Sequence, residues 1–240
     1  MLLTYSDLLS ESVLLFLTFA GAVCTALVVG IAFHEFSHAI TADALGDHTA
    51  RMMGRVNLNP MRHLDPAGTV FMLIAGFGWG KPTPVNPARL RYGPQTGRAI
   101  VAAAGPISNL IMAGIAAVPI QAGLVDWRSP FIIPFTVHGW QFSDYLSLYL
   151  SAVIVFNVVL AVFNLLPIAP LDGFSVAVGV LPRDLAISFA QLEQYGPVIL
   201  MLLLVVPFVT QGQISLLHEF MSPLINGLTK LFVGHGNVIG

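Results

Sequence analysis

The stretch His34-Glu35-Phe36-Ser37-His38 places two imidazoles four residues apart, with a carboxylate next to the first. On a helix, residues i and i+4 share a face, so both rings can close on one metal ion, and H-E-x-x-H is the spacing that does this for zinc. A catalytic zinc takes three protein ligands and keeps a fourth position for water, which leaves the histidine pair one ligand short. Asp172, in "NLLPIAPLDGF", is a candidate third: it follows a long apolar run, and Pro167 and Pro170 oppose a continuous helix just before it. His34 and His38 also lie at the end of an apolar run. Ionisable side chains in such places are costly in lipid and are usually functional.

Apolar runs dominate the chain. Of its 240 residues, 56% are hydrophobic and 9% are charged, against roughly 25% charged in an ordinary soluble domain. The net charge is −2 and the basic residues form no dense run, so no nucleic-acid partner is expected. Residues 12–33, 99–125 and 145–171 carry no charge, and each matches or exceeds the ~20 residues that cross a bilayer as a helix. The expectation is an all-α polytopic membrane protein with about four to six transmembrane helices, forming one membrane-embedded domain over 1–240. Its spans are expected at about 12–45, 99–125, 145–171 and 194–210, with a further candidate at 213–233. Between the first two, "NLNPMRHLDPAG" and "WGKPTPVNPARLRYGP" are rich in turn residues and enclose an apolar patch at 66–80. That patch is short for a crossing and is expected to be re-entrant or interfacial. No Lys or Arg precedes Arg51, so the first run reads as a retained span, and Cys24 within it as a packing residue.

Charge placement orients the helices. Seven of the ten basic residues (Arg51, Arg55, Arg62, Lys81, Arg89, Arg91 and Arg98) fall between the first two spans. By the positive-inside rule that loop is cytoplasmic. The first span then delivers His34 and His38 to the cytoplasmic end, and two further crossings return Asp172 to the same depth. A crossing at 66–80 would strand Asp172 a bilayer away, ~30 Å. Parity therefore also makes 66–80 a segment that leaves by the side it entered.

With both motifs in place, the chain resembles the site-2 protease family of intramembrane zinc metalloproteases. That family pairs H-E-x-x-H with an aspartate in N-x-x-P-x-x-x-x-D-G, a pattern that Asn164, Pro167, Asp172 and Gly173 match. "NPMRHLDPAG", "GWGKPTPVNP" and "AAAGPISNL" are similar to segments of the compact members without PDZ or CBS domains, and the likeness covers about residues 20–200. The resemblance implies one zinc ion held by His34, His38 and Asp172, with Glu35 as general base in peptide hydrolysis. It suggests Asn109 and Asn164 as groups that steady substrate or intermediate. It further implies a transmembrane protein substrate met in the bilayer, a multi-pass location in the cell membrane and an active site toward the cytoplasm. A membrane-associated, β-containing segment within 51–85 would hold the opened substrate by strand addition.

Other readings of these residues remain open at this point. Asn109 and Asn164 can equally bond neighbouring helices. His63 and Asp65 read as loop organisers, His48, His138, His218 and His235 as surface residues, and "AAAG" at 102–105 as a small-residue packing face. A serine protease is disfavoured because Ser175 lacks a suitable setting, and an aspartyl protease because Asp172 is the one carboxylate at its membrane end. The competing class is a divalent-metal (zinc) transporter using the same His/His/Asp ligands. It would require inverted repeats and further intramembrane ligands, which the sequence does not display.

Overall fold

The computed structural model describes residues 12–75, 78–131 and 139–234; Gly76 of the expected re-entrant patch, His138 and His235 lie outside them. Ser12 opens the first helix, α1 (Val13–Ala44), by accepting the Leu15 amide on its hydroxyl at 3.3 Å. At 32 residues α1 is about 48 Å long, more than the ~30 Å hydrocarbon core, so both of its ends cannot lie in lipid. A short helix α2 (Thr49–Met52), a 3₁₀ turn (Pro60–Arg62), helix α3 (Pro66–Ala75) and a second 3₁₀ turn (Pro87–Arg89) follow. Then come α4 (Pro94–Gln121), α5 (Phe142–Asn164), α6 (Asp172–Val180) and α7 (Arg183–Ala190). A 3₁₀ turn (Gln191–Tyr195) leads into α8 (Gly196–Val209), and α9 (Leu216–Val233) follows. Among the described residues four stretches are long and apolar enough to cross a membrane: α1, α4, α5 and the run Arg183–Pro207 through α7 and α8.

The buried core forms around α5. Its Ala152, Val153 and Phe156 pack with Phe19, Val23, Leu27 and Ile31 of α1, while its Ile154, Val158 and Val162 pack with Ala113, Ala117 and Ile120 of α4 and Met221 and Ile225 of α9. The apolar run expected to reach residue 171 stops as a helix at Asn164. Pro167 has no amide to continue the ladder and biases Leu166 away from helical angles. The chain turns there, and Asp172 becomes the first residue of α6. Gly173 makes that turn possible, because a Cβ on it would lie 2.2 Å from the Leu165 carbonyl carbon. Gly179 similarly lets α6 lie on α4, where an added Cβ would sit 2.1 Å from that of Ala99.

The segment between α1 and α4 departs from the expected β-containing element. No strand occurs among the described residues; one isolated antiparallel bridge, Leu64 to Gly80, is all the pairing there is. The reason is that the backbone groups a ladder would use are absent or taken. Pro82 and Pro84 have no amide. Lys81 N–H to His63 O, at 2.7 Å, makes the isolated bridge, but Thr83 N–H donates to Glu35 Oε2 at 2.9 Å and Asn86 N–H to Asp47 Oδ2 at 2.6 Å. The buried Arg55 guanidinium donates to the carbonyls of Arg62, Lys81 and Pro82. Side chains have thus captured the segment as a strap. Helix α3 begins where Asp65 Oδ1 accepts the Gly68 amide at 2.8 Å. Its 10 residues extend about 15 Å, half of a bilayer core.

Asp47 ties this strap to the end of α1. Fully buried, it accepts from Thr49 Oγ1 at 2.5 Å and Thr49 N–H at 3.2 Å besides Asn86. Burial alone would raise its carboxyl, but the Thr49 and Asn86 hydrogen bonds and the charge of Arg89 outweigh it and hold the group below the usual carboxylate range. A depressed folded value stabilises the fold above the unfolded pKa of ~3.9, and the contribution disappears as pH falls through the folded value. Asp47→Ala should therefore lower stability by about 2 kcal/mol at pH 7, with the Thr49 amide and hydroxyl and the Asn86 amide all losing their acceptor. Thermal unfolding in detergent should show the gap to wild type closing below about pH 4.

Candidate metal centre

Three helices supply the site. On α1, His34 and His38 lie one turn apart, their rings edge to face with centroids 4.6 Å apart. The N-terminus of α6 brings in Asp172, whose Oδ2 sits 2.9 Å from His34 Nε2 and 3.2 Å from His38 Nε2. Helix α4 closes the third side with Gly105, Asn109 and the carbonyl of Val101.

The protons on the two rings follow from their outer partners. His38 Nδ1 lies 2.7 Å from Val101 O, an acceptor only, so Nδ1 carries the proton and Nε2 presents a lone pair. His34 Nδ1 lies 2.7 Å from Asn109 Oδ1, and the Asn109 amide nitrogen donates at 3.1 Å to both Gly30 O and Asn157 Oδ1. Asn109 thus turns its oxygen to His34, which likewise carries its proton on Nδ1. With both rings neutral, two lone pairs therefore face one carboxylate oxygen, and that buried oxygen has no other hydrogen-bond donor. Acceptors gathered in this way require a cation, or protons, between them. Gly105 leaves the room: a Cβ there would sit 2.6 Å from His34 Nε2 and 2.5 Å from His38 Nε2. Two imidazole nitrogens and one carboxylate oxygen form a donor set that suits zinc and leaves an open fourth position.

Glu35 lies beside this set, with ligand atoms of His34, Glu35 and His38 all within 4.8 Å of one another. Its Oε2 accepts from Thr83 N–H at 2.9 Å and Thr83 Oγ1 at 2.8 Å. The strap therefore sets the direction of this carboxylate. Asn109 has its oxygen and both amide hydrogens engaged inside the protein. Asn164 spends one amide hydrogen on Leu160 O at 2.9 Å and is half-buried at the end of α5. His63 is buried in the strap with Nε2 on Asn57 O, Asp65 caps α3, and His48 and His218 are exposed.

Gly105, Thr83 and Asn157 touch the candidate site or its partners, and the sequence alone does not single them out. Gly105 was visible only as part of a packing face, and Thr83 as one more residue of a turn-rich loop. Asn157 had a signal, since an amide in the middle of an apolar span needs a partner.

Named proteins resemble the chain over most of its length. "Putative zinc metalloprotease YwhC" of Bacillus subtilis is 38% identical over 187 residues, which cover 75% of this chain and 78% of that protein. Under the same designation, Rip2 of Mycolicibacterium smegmatis is 27% identical over 212 residues (87% of this chain, 75% of the relative). Rip2 of Mycobacterium tuberculosis is 28% identical over 198 residues, 80% of this chain and 70% of the relative. No family model and no solved structure matches the chain.

Gly105→Ala should exclude a metal ion, because its methyl would project onto both Nε2 atoms and push the rings aside. Zinc per protein, measured by elemental analysis after dialysis, should fall at least about tenfold, with an unchanged far-ultraviolet circular dichroism spectrum.

Proposed function

The chain belongs to the site-2 protease family of intramembrane zinc metalloproteases, and on that premise we propose that it cleaves membrane proteins in or near their transmembrane segments. Glu35 is the general base, and one zinc ion is held by His34, His38 and Asp172. The observation that carries this reading is the meeting of two Nε2 lone pairs and the donor-free Asp172 Oδ2, at 2.9 and 3.2 Å. The relatives' names support a protease over a transporter.

Zinc, when bound, supplies Lewis acidity toward the scissile carbonyl and lowers the pKa of a water toward ~7. The protein supplies the rest. His34 and His38 would hold the ion through Nε2 as neutral rings, and Asp172 would contribute the one negative charge of the set. The Glu35 carboxylate takes a proton from the attacking water and returns it to the leaving amine. Thr83 holds that carboxylate by hydroxyl and amide, so Glu35 is aimed before substrate arrives. Asn109 steadies His34, while Asn164, with an amide hydrogen to spare, is the asparagine for substrate. A substrate helix must open locally, since its carbonyls are already hydrogen-bonded.

Purified protein incubated with a single-span model substrate tests the chemistry. Glu35→Gln should lower the cleavage rate about 10²- to 10⁴-fold and keep zinc, as expected for loss of a general base. His34→Ala, His38→Ala and Asp172→Ala should lose zinc and cleavage together. Full zinc occupancy in Asp172→Ala would remove the aspartate from the site.

We place the active site toward the cytoplasm and read residues 66–80 as entering and leaving on that side. The ten-residue α3, too short to span, and the basic loop around it support this. His63 is buried, so the reporters belong at exposed Met61 and Ala88. Single cysteines at these positions in a Cys24→Ala background should react with a membrane-impermeant thiol reagent from the cytoplasmic face alone. Labelling of the two from opposite faces would sink the topology.

A further inference from the structure

Behind His34 lies a line of buried amides that the catalytic chemistry does not use. Asn109 is 0% and Asn157 1% exposed, and both lie among apolar helices. Asn157 Nδ2 donates to Val153 O at 2.9 Å, one turn back on α5. Its Oδ1 accepts from Asn109 Nδ2 at 3.1 Å. Asn109 Nδ2 also donates to Gly30 O at 3.1 Å, and Asn109 Oδ1 lies 2.7 Å from His34 Nδ1.

We propose that Asn157 is a positioning residue that, through Asn109, fixes the proton of His34 on Nδ1 and so keeps Nε2 free for the metal. This rests on the reading of His34 as a zinc ligand. The line has a direction because both of its anchors are backbone carbonyls, which only accept. Turning Asn157 over would set its oxygen against Val153 O, and turning Asn109 over would set its oxygen against Gly30 O. With both amides held, a proton on His34 Nε2 would leave an Nδ1 lone pair 2.7 Å from Asn109 Oδ1. Two acceptors at that distance, away from water, are strongly disfavoured. Gly30 belongs to the device. A Cβ at that position would lie 2.9 Å from Asn157 Oδ1 and 3.3 Å from Asn109 Nδ2, so the absence of a side chain lets α1, α4 and α5 share the network.

Without Asn157, one Asn109 amide hydrogen is buried with no acceptor, and Gly30 O alone opposes rotation of the amide. Outer partners of metal-binding histidines contribute about 10- to 100-fold to metal affinity. Asn157→Leu should weaken zinc by that factor. Asn157→Asp should not: a carboxyl in this setting stays protonated at neutral pH, so its hydroxyl can donate to Val153 O while its carbonyl accepts from Asn109.

The test reads tautomer and affinity on the full chain in detergent. Nitrogen-15 NMR of histidine-labelled, metal-free protein, with His34→Ala to assign the signal, should show a proton on His34 Nδ1 in wild type and Asn157→Asp, whether or not Nε2 also carries one. In Asn157→Leu a fraction of the molecules should lack the Nδ1 proton. Competition with a chromophoric chelator should give zinc dissociation constants within about threefold of wild type for Asn157→Asp and about 10- to 100-fold weaker for Asn157→Leu. Wild-type His34 without a proton on Nδ1 overturns the proposal without recourse to any variant. So does Asn157→Leu with the wild-type tautomer and wild-type affinity. If Asn157→Leu fails to fold, the wild-type tautomer and the rescue by Asn157→Asp decide. Zinc bound as tightly by His34→Ala as by wild type would instead overturn the metal site, leaving the relay with nothing to position. A zinc-free His34→Ala beside a wild-type-like Asn157→Leu would overturn the relay alone.

Discussion

Two imidazole nitrogens and a carboxylate oxygen, the oxygen 2.9 and 3.2 Å from the nitrogens, cannot share an apolar interior unless something positive joins them. Much of the remaining architecture answers to that constraint. Helix α1 presents the two rings on one face, and the break after Asn164 turns Asp172 back onto them. The glycines at 105 and 173 let backbone come closer than any side chain would allow. The outer shell matters as much as the ligands: Val101 O and Asn109 Oδ1 take the Nδ1 protons, and only then are both Nε2 atoms donors to a metal. Binding zinc would release the protons that otherwise separate these acceptors, so metal affinity and helix packing are linked.

The site has two halves held by different physics. The ligands stand on helices whose packing is apolar and extensive. Glu35 stands on the same helix but takes its orientation from Thr83, in a strap with almost no regular hydrogen bonding. That strap is fixed instead by Arg55, a buried guanidinium whose hydrogen-bond partners are the carbonyls of Arg62, Lys81 and Pro82. A charged donor on three carbonyls makes strong bonds, and it uses the oxygens that an added strand would need. The interactions that fix the strap carrying Thr83 therefore explain why this segment is not an edge strand.

The sequence was most legible where chemistry and period coincide. H-E-x-x-H on an apolar helix and an aspartate after a proline-broken run are both readable, and parity alone puts them at one depth. Helix ends were less legible: charge-free residues continued to 171, while Pro167 ended α5 at Asn164. The strap was misread because turn-rich sequence does not say which side chains will capture its backbone. Arg55, Asp47 and Glu35 do so across 26, 39 and 48 residues. Gly105 and Asn157 were hidden for the opposite reason. Each is ordinary in its own helix and acquires meaning only from the neighbour it meets.

Exposure grades across the site in the order hydrolysis requires. The His34 and His38 side chains are 10% and 9% exposed and Asp172 20%. Glu35 and Thr83 are half-buried, and Lys81 on the strap is open. The amides behind His34 are sealed from solvent entirely. A metal set buried on its amide side gains strong, oriented hydrogen bonds from the low dielectric there. Glu35, the proposed base, lies on the strap side and is only half-buried. Were the polar line of Asn109 and Asn157 as open as the strap, water could supply the missing partners and either tautomer of His34 would be tolerated. Dryness behind the ring and access in front of it are thus both parts of one catalytic arrangement.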